Sequence, residues 1–274
     1  PELVRLPSYT TVRRWMRSQG LLRRRRPGGS RRTPGAERAE ARLEAREVRS
    51  YEAEYVGALW HAAFHLGRRK ILTRGGDWVT PKLLGALDDC CRLCCHAQWY
   101  LEESAETFVH GLSQAIQKRG LPRALMTDCG SPMFAVETQE GLLELGITHE
   151  PTLPYSPYQN AKQEIFWASV EGRLMPMLEG VGEPTLELLN EATQAWIELD
   201  YNRKLHSELG ITPLQRFLAG PDVGRESPSS QALRQAFRLR AKRTQRRSDG
   251  TLTVEGVRFE VPSRFRHIER LWVR

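Results

Sequence analysis

No run of this 274-residue sequence comes near the roughly 18 consecutive apolar residues that a membrane-spanning helix needs. Nor is its basic start followed by the apolar segment of a secretion signal. Membrane and exported proteins are set aside, and a soluble intracellular chain is expected. An even set of cysteines is also missing. There are five: Cys90, Cys91, Cys94 and Cys95 in one cluster, and Cys129. An odd count argues against a secreted disulfide framework. Zinc would want CxxC pairs separated by a loop, whereas this cluster lies in what reads as a strand, where alternate side chains point to opposite faces. Small buried strand residues are the expectation.

Most of the chain also lacks a charge excess. Residues 1–47 hold 13 Lys and Arg against 5 Asp and Glu, and residues 48–274 hold 28 against 28, so the whole net charge of +8 sits at the N-terminal end. A concentrated basic arm suits a polyanion, because each phosphate it neutralises releases condensed counterions. The remaining composition, 40% hydrophobic, is that of a folded domain with small appendages.

The chain reads as a piece of a longer protein at both ends, in five segments. Residues 1–22 contain a helix that Ser8 can cap, with Val12, Trp15 and Met16 at helical spacing. It fits either an ordinary amphipathic helix or the remnant of a helix-turn-helix, with Arg13, Arg14 and Arg17 toward DNA. Residues 23–50 form a basic linker, opened by Arg23, Arg24, Arg25 and Arg26 and broken by Pro27-Gly28-Gly29, and then an exposed connecting helix. Residues 51–222 carry three apolar strand segments (59–66, 83–87, 91–100), a helix over 104–119, a strand at 124–127 ending on Asp128, a helix over 136–145, a strand at 147–152 and a helix around Glu164. Three strands followed by alternating helix and strand give the α/β order of a ribonuclease-H-like mixed sheet flanked by helices. Residues 223–248 read as a basic connector. Residues 249–274 alternate as a hairpin around Glu255-Gly256, the start of a small β domain.

Two carboxylates stand out. Asp128 follows a strand in Thr127-Asp128-Cys129-Gly130, and Glu164 lies on a helix with 35 residues between the two. Phosphodiester chemistry with Mg²⁺ needs a few hard oxygen ligands, leaving positions for water and phosphate oxygens. An Asp before Gly is otherwise usually a turn residue.

The surrounding residues resemble the integrase-core transposases of bacterial insertion sequences, the IS481 and IS3 groups within the retroviral-integrase superfamily. Thr127-Asp128-Cys129-Gly130 is similar to T-D-N-G. Ser156-Pro157-Tyr158-Gln159-Asn160-Ala161-Lys162-Gln163-Glu164 is similar to S-P-Y-x-N-G-K-x-E. Tyr201-Asn202-Arg203, His206-Ser207 and Thr212-Pro213 are similar to Y-N-x-x-R-x-H-S and T-P. In that family the first Asp stands in W-x-x-D-F. Here the block is Trp60-His61-Ala62-Ala63-Phe64, so Ala63 occupies that position. Cys129 for Asn and Ala161 for Gly are further departures. Asp88 and Asp89 precede the next strand and could be proposed as replacements, but the family carries an acidic residue there alongside its triad, which argues against them.

The resemblance implies a DNA transposase performing 3′-end hydrolysis and strand transfer, with two Mg²⁺ (or Mn²⁺) ions held by the catalytic carboxylates Asp128 and Glu164. It implies impaired chemistry in this chain, because a methyl group holds no metal. Lys162 is expected to contact a phosphate, and Tyr158, Gln159 and Asn160 to meet DNA beside the scissile bond or simply to start the helix. Tyr201, Asn202, His206 and Pro213 are expected to serve packing. The implied partners are DNA and further copies of the chain, with no membrane, in the bacterial cytoplasm at the nucleoid. A non-catalytic DNA-binding protein derived from a transposase is the alternative, and a structural ribonuclease-H-like scaffold the third.

Overall fold

The structure, a computed structural model, describes residues 9–19, 52–152, 161–182, 184–238, 241–254 and 256–273. It divides into two units, residues 1–33 and 34–274.

In the first unit, helix α1 (Tyr9–Ser18) forms where the spacing of Val12, Trp15 and Met16 predicts it. Its apolar side is open, with Trp15 58% exposed. Ser8 and the expected helix over 36–51 lie outside the described residues.

The second unit is built on a five-stranded sheet of β1 (Leu59–Leu66), β4 (Lys82–Asp88), β5 (Cys94–Tyr100), β6 (Ala124–Thr127) and β7 (Thr148–Pro151). Its order is β5-β4-β1-β6-β7. The first three strands pair antiparallel, whereas β6 and β7 run parallel to β1. Both faces are covered, which is why these strands read as apolar runs without alternation. One face carries Trp60, Ala62, Leu84 and Ala86 against Phe108, Leu112 and Ile116 of α2 (Ala105–Arg119). Those helix residues fall on one stripe at i, i+4 and i+8. Ser104 and Thr107 close a capping box at its start, and Gly120, at φ 85°, ends it.

The other face carries Ala63, Leu83, Leu87, Cys94, Ala97 and Trp99. Helices α4 (Ala161–Ser169) and α6 (Leu186–Leu199) supply Phe166, Trp167, Leu189, Trp196 and Ile197 to the same cluster. A π-helical turn, Val170–Leu174, and the short α5 (Met175–Met177) continue α4. Gly85 lets α4 sit close: a Cβ there would lie 2.6 Å from Cη2 of Trp167 and 3.2 Å from Cε1 of Phe166.

The cysteine expectation holds for burial and fails for position. Cys90, Cys91, Cys94 and Cys95 are all buried, but β5 begins only at Cys94, and Cys90 and Cys91 belong to the turn that precedes it. Oδ1 of Asp88 accepts the backbone N–H groups of both, at 3.0 Å each. A carboxylate that captures N–H groups two and three residues on bends the chain into a turn.

Toward the C-terminus, the expected hairpin forms from β9 (Thr251–Val254) and β10 (Val257–Glu260), with Gly256 at φ 81°. The segment read as a basic connector is more structured than expected. Its helix α8 (Ser230–Ala236) places Leu233 and Ala236 in buried positions, and Leu233 and Phe237 join the core cluster on the α2 face. Phe237 fits against Gly141 of α3 (Val136–Glu144), where a Cβ would come within 2.1 Å of its ring. Further on, β8 (Ala241–Thr244) pairs with β11 (Arg270–Val273). Among the described residues no helix is long and apolar enough to cross a membrane.

Candidate active site

The site is set by the register of two parallel strands. Ala62 of β1 pairs with Thr127 of β6, so the next step along both strands brings Ala63 level with Asp128. Ala63 is 2% exposed and belongs to the cluster under α4. On its other side it pairs with Gly85 of β4. The Gly85 carbonyl accepts a hydrogen bond from the buried Gln163 side chain, 2.9 Å. Helix α4 is thereby pinned over the level of Ala63. Glu164 follows Gln163 and is exposed.

Asp128 is partly buried, and its Oδ1 accepts the Gly130 N–H at 2.9 Å. Burial raises its pKa above the ordinary carboxyl value, and the Gly130 hydrogen bond only partly opposes that. The end of β6 is braced by a chain that sequence reasoning missed. Gln139 Nε2 donates to His149 Nδ1, and His149 Nε2 lies 2.7 Å from Thr127 Oγ1. With Nδ1 accepting, the proton sits on Nε2 and is donated to Thr127. The Thr127 hydroxyl in turn donates to the Asp128 carbonyl, 2.9 Å. Cys129 is exposed, with its thiol 3.5 Å from the Thr152 carbonyl.

Around the start of β1 the same sheet face carries a second set of charges. Asp89 Oδ1 lies 2.6 Å from His61 Nε2 and is ion-paired to Lys162, the ammonium expected to face a phosphate. Asp89 Oδ2 accepts the Ala53 N–H, and the Arg92 guanidinium donates to the Asp89 carbonyl. Burial alone would raise the Asp89 pKa; the hydrogen bond from His61 and the charges of His61 and Lys162 outweigh it and hold it at about 2. Burial of Lys162 works against the pair and lowers the lysine's own pKa. The carboxylate is the firmer partner, because several donors converge on it.

Asp88 is fully buried and accepts from Gly57, Cys90 and Cys91 N–H groups and from the Trp60 indole. Both carboxylates weighed as replacements for the first ligand are thus committed to holding the β4–β5 turn against β1. Neither their contacts nor the pattern D-D before a turn distinguishes them in sequence from solvated acids. Only the pairing of Trp60 with Asp88 across β1 and β4 brings these groups together.

Tyr201 and Asn202 serve packing, as expected: Asn202 exchanges two hydrogen bonds with the backbone of Cys94, and the Tyr201 hydroxyl donates to the Arg92 carbonyl. Pro213 is buried at the start of α7 (Pro213–Ala219), behind a capping box closed by Thr212. Arg14 is exposed on α1; the side chains of Arg13 and Arg17, and all of Arg23, Arg24, Arg25, Arg26, Tyr158, Gln159 and Asn160, lie outside the description.

Among the described residues no three His, Cys, Asp or Glu side chains gather as a cation cage. With a methyl at position 63, the donors present fall one carboxylate short of the set that a two-ion site uses. The residues as they stand do not fit that group.

The mixed sheet, its order and its two helical layers define a ribonuclease-H-like fold of the integrase-core type. Residues 57–157 match the family model of the integrase core domain. That stretch includes Ala63 and Asp128 and ends before Glu164. No curated protein matches the chain by sequence. Among solved structures, a chain of the simian T-cell lymphotropic virus intasome in complex with PP2A regulatory subunit B56 gamma superposes with a TM-score of 0.52 at 14% identity, covering 77% of this chain and 67% of that one. The HTLV-2 integrase catalytic core domain in complex with magnesium gives 0.46 at 16% identity, over 61% and 98%. The catalytic core domain of BIV integrase gives 0.45 at 22% identity, over 59% and 94%. The first of these likenesses is one of fold.

Proposed function

We propose that this chain is a DDE-type DNA transposase of the bacterial insertion-sequence kind, similar to the IS481 and IS3 groups, in which Ala63 replaces the first catalytic carboxylate and impairs the chemistry. On this reading it acts on element ends and target DNA as a homo-oligomer, in the cytoplasm at the nucleoid. The observation that carries it is the register of β1 against β6, which sets Ala63 level with Asp128. The match of residues 57–157 to the integrase core domain supports the same reading.

At a site completed by a carboxylate at position 63, that residue, Asp128 and Glu164 would hold divalent ions, which would supply Lewis-acid chemistry there. What this chain contributes is the frame: Asp128 fixed by the Thr127–His149–Gln139 chain, and Glu164 carried on a helix pinned through Gln163. Arg13, Arg14, Arg17, the Arg23–Arg26 run, Tyr158, Gln159, Asn160 and Lys162 are assigned to DNA. Lys162 must exchange Asp89 for a phosphate to take that part.

A non-catalytic DNA-binding protein is the second reading, favoured by the enclosure of Ala63 in the apolar cluster of Phe166 and Trp167. A strand-transfer assay of the natural chain and of Ala63→Asp, in Mg²⁺ and in Mn²⁺, separates the two. The first reading expects activity to appear in Ala63→Asp. Absence of strand transfer in a folded Ala63→Asp that still binds DNA favours the second.

A further inference from the structure

The segment between β1 and β4 belongs to neither reading so far. Residues 67–81 hold Arg68, Arg69, Lys70 and Arg74 against a single carboxylate, Asp77. They fold into a small hairpin of β2 (Ile71–Leu72) and β3 (Trp78–Val79), turned at Gly76 with φ 87°.

The hairpin is held firmly from one side. Ile71 is buried in the cluster under α4 and α6. Leu72 N–H donates to the Pro184 carbonyl, 3.0 Å, and the Arg69 guanidinium donates to the carbonyls of Leu178 and Val181. The opposite side is open. Leu72 pairs with Trp78, one step out of phase with the buried Ile71, so the indole faces away from the core and is 49% exposed. Arg68 and Lys70 are exposed and have no ion-pair partner among the described residues. The hairpin thus offers a half-exposed indole, backed by Leu72 on a firmly held support, and two exposed cations on the segment that leads into it.

Its position points to an occupant. β1 continues three residues past Ala63 before the hairpin begins, about 10 Å at the usual strand rise. The parallel β6 ends at the same end of the sheet, with Asp128. Arg68 and Lys70 thus follow β1 out of the end of the sheet that carries Asp128, the end a polyanion bound at Asp128 would occupy.

We propose that the β2–β3 hairpin is a docking element for a DNA strand, in which Arg68 and Lys70 contact phosphates and Trp78 stacks on an unpaired base. The inference rests on the DNA reading above and extends it to a surface outside the basic arm. Cations tracking a backbone beside an aromatic platform are the general chemistry of single-strand binding.

The test uses the full chain and fluorescence anisotropy on a random-sequence duplex, with and without a single-stranded flap, across a KCl series. The double substitution Arg68→Gln, Lys70→Gln should lower the slope of log affinity against log salt by about 2, since each phosphate contact contributes about 0.9. Trp78→Ala should leave that slope alone and weaken flap binding by about 5-fold or more, the lower bound for one stacked base. Trp78→Phe should recover part of the loss. Unchanged melting temperatures would show that these exposed substitutions spare the fold.

If the parent binds DNA with an arm-dependent slope and the hairpin variants match it, the hairpin assignment alone is overturned. If the parent binds no DNA, the DNA reading falls with it. Loss of binding to polyglutamate with unchanged DNA binding would assign the hairpin to an acidic protein and overturn the proposal.

Discussion

Two acidic regions lie on the same face of the sheet, a few residues apart along β1. At the start of the strand, Asp89 meets His61 and Lys162, and its pKa is held down to about 2. Level with Ala63, Asp128 meets one backbone N–H, and burial raises its pKa. The first is an ion cluster completed within the protein, and its carboxylate serves the fold. The second is a desolvated acid with no cation beside it among the described residues, the condition in which a carboxylate favours a ligand that brings positive charge. Side-chain type does not separate them; the surrounding donors do.

The widest gap between the two regions should appear on removing each carboxylate. Asp89→Ala removes the carboxylate that faces the partly buried Lys162 and the buried His61, and should destabilise the fold by about 3–5 kcal/mol, the range for breaking a buried pair. Urea unfolding at neutral pH measures it, and a loss comparable to that of Asp128→Ala would erase the contrast.

Acid titration sharpens the same comparison. Because the folded pKa of Asp89 lies below its ordinary value, its contribution is complete above about pH 4 and disappears as pH falls through about 2. The amount is roughly 2 kcal/mol at 1.36 kcal/mol per unit. The difference in stability between the natural chain and Asp89→Asn should shrink over that window. A difference independent of pH would mean that the ionised pair contributes nothing.

Ala63→Asp comes next in size. A carboxylate in an enclosed apolar site beside a second desolvated acid should lower stability by about 1–3 kcal/mol without metal. Mg²⁺ should restore more of that in the variant than it adds to the natural chain, because stabilisation grows with affinity for the folded state. Identical melts with and without Mg²⁺ would remove Ala63 from the metal site.

The smallest effect belongs to Asp128→Asn. A raised folded pKa means that ionised Asp128 opposes folding at neutral pH and ceases to do so as it is protonated. The variant should therefore equal or exceed the natural chain by up to about 1 kcal/mol at pH 7, with the advantage vanishing in acid. A clear loss of stability at pH 7 would show that Asp128 is structural.

Much of this architecture could be read from residue order. The strands at 59–66 and 124–127 and the helix started by Ser104 announce themselves because local pattern and burial agree. The level of Ala63 with Asp128 follows once those strands are known to be neighbours. The Asp89 cluster could not be read this way, since His61, Asp89 and Lys162 are far apart in sequence and alike to solvated residues until folding joins them. The turn at Cys90 and Cys91 was hidden because the side chains that define it are apolar, while the cause is the carboxylate before them. In the same way β8, rich in Lys and Arg, shows no strand pattern and is fixed by its partner β11.

Gly85 carries a consequence of a mechanical kind. With Trp167 resting where a side chain would otherwise stand, the missing atoms act as a spacer of zero thickness between helix and sheet. A side chain added there must push the Trp167 ring aside or lift α4, and where it lifts α4, Glu164 travels with the helix while Asp128, just past β6, stays behind. Position 85 thus acts as an adjustment screw on the gap between two carboxylates that it does not touch. Graded substitutions, Ala and then Ser and Val, would open that gap in steps without altering either acid.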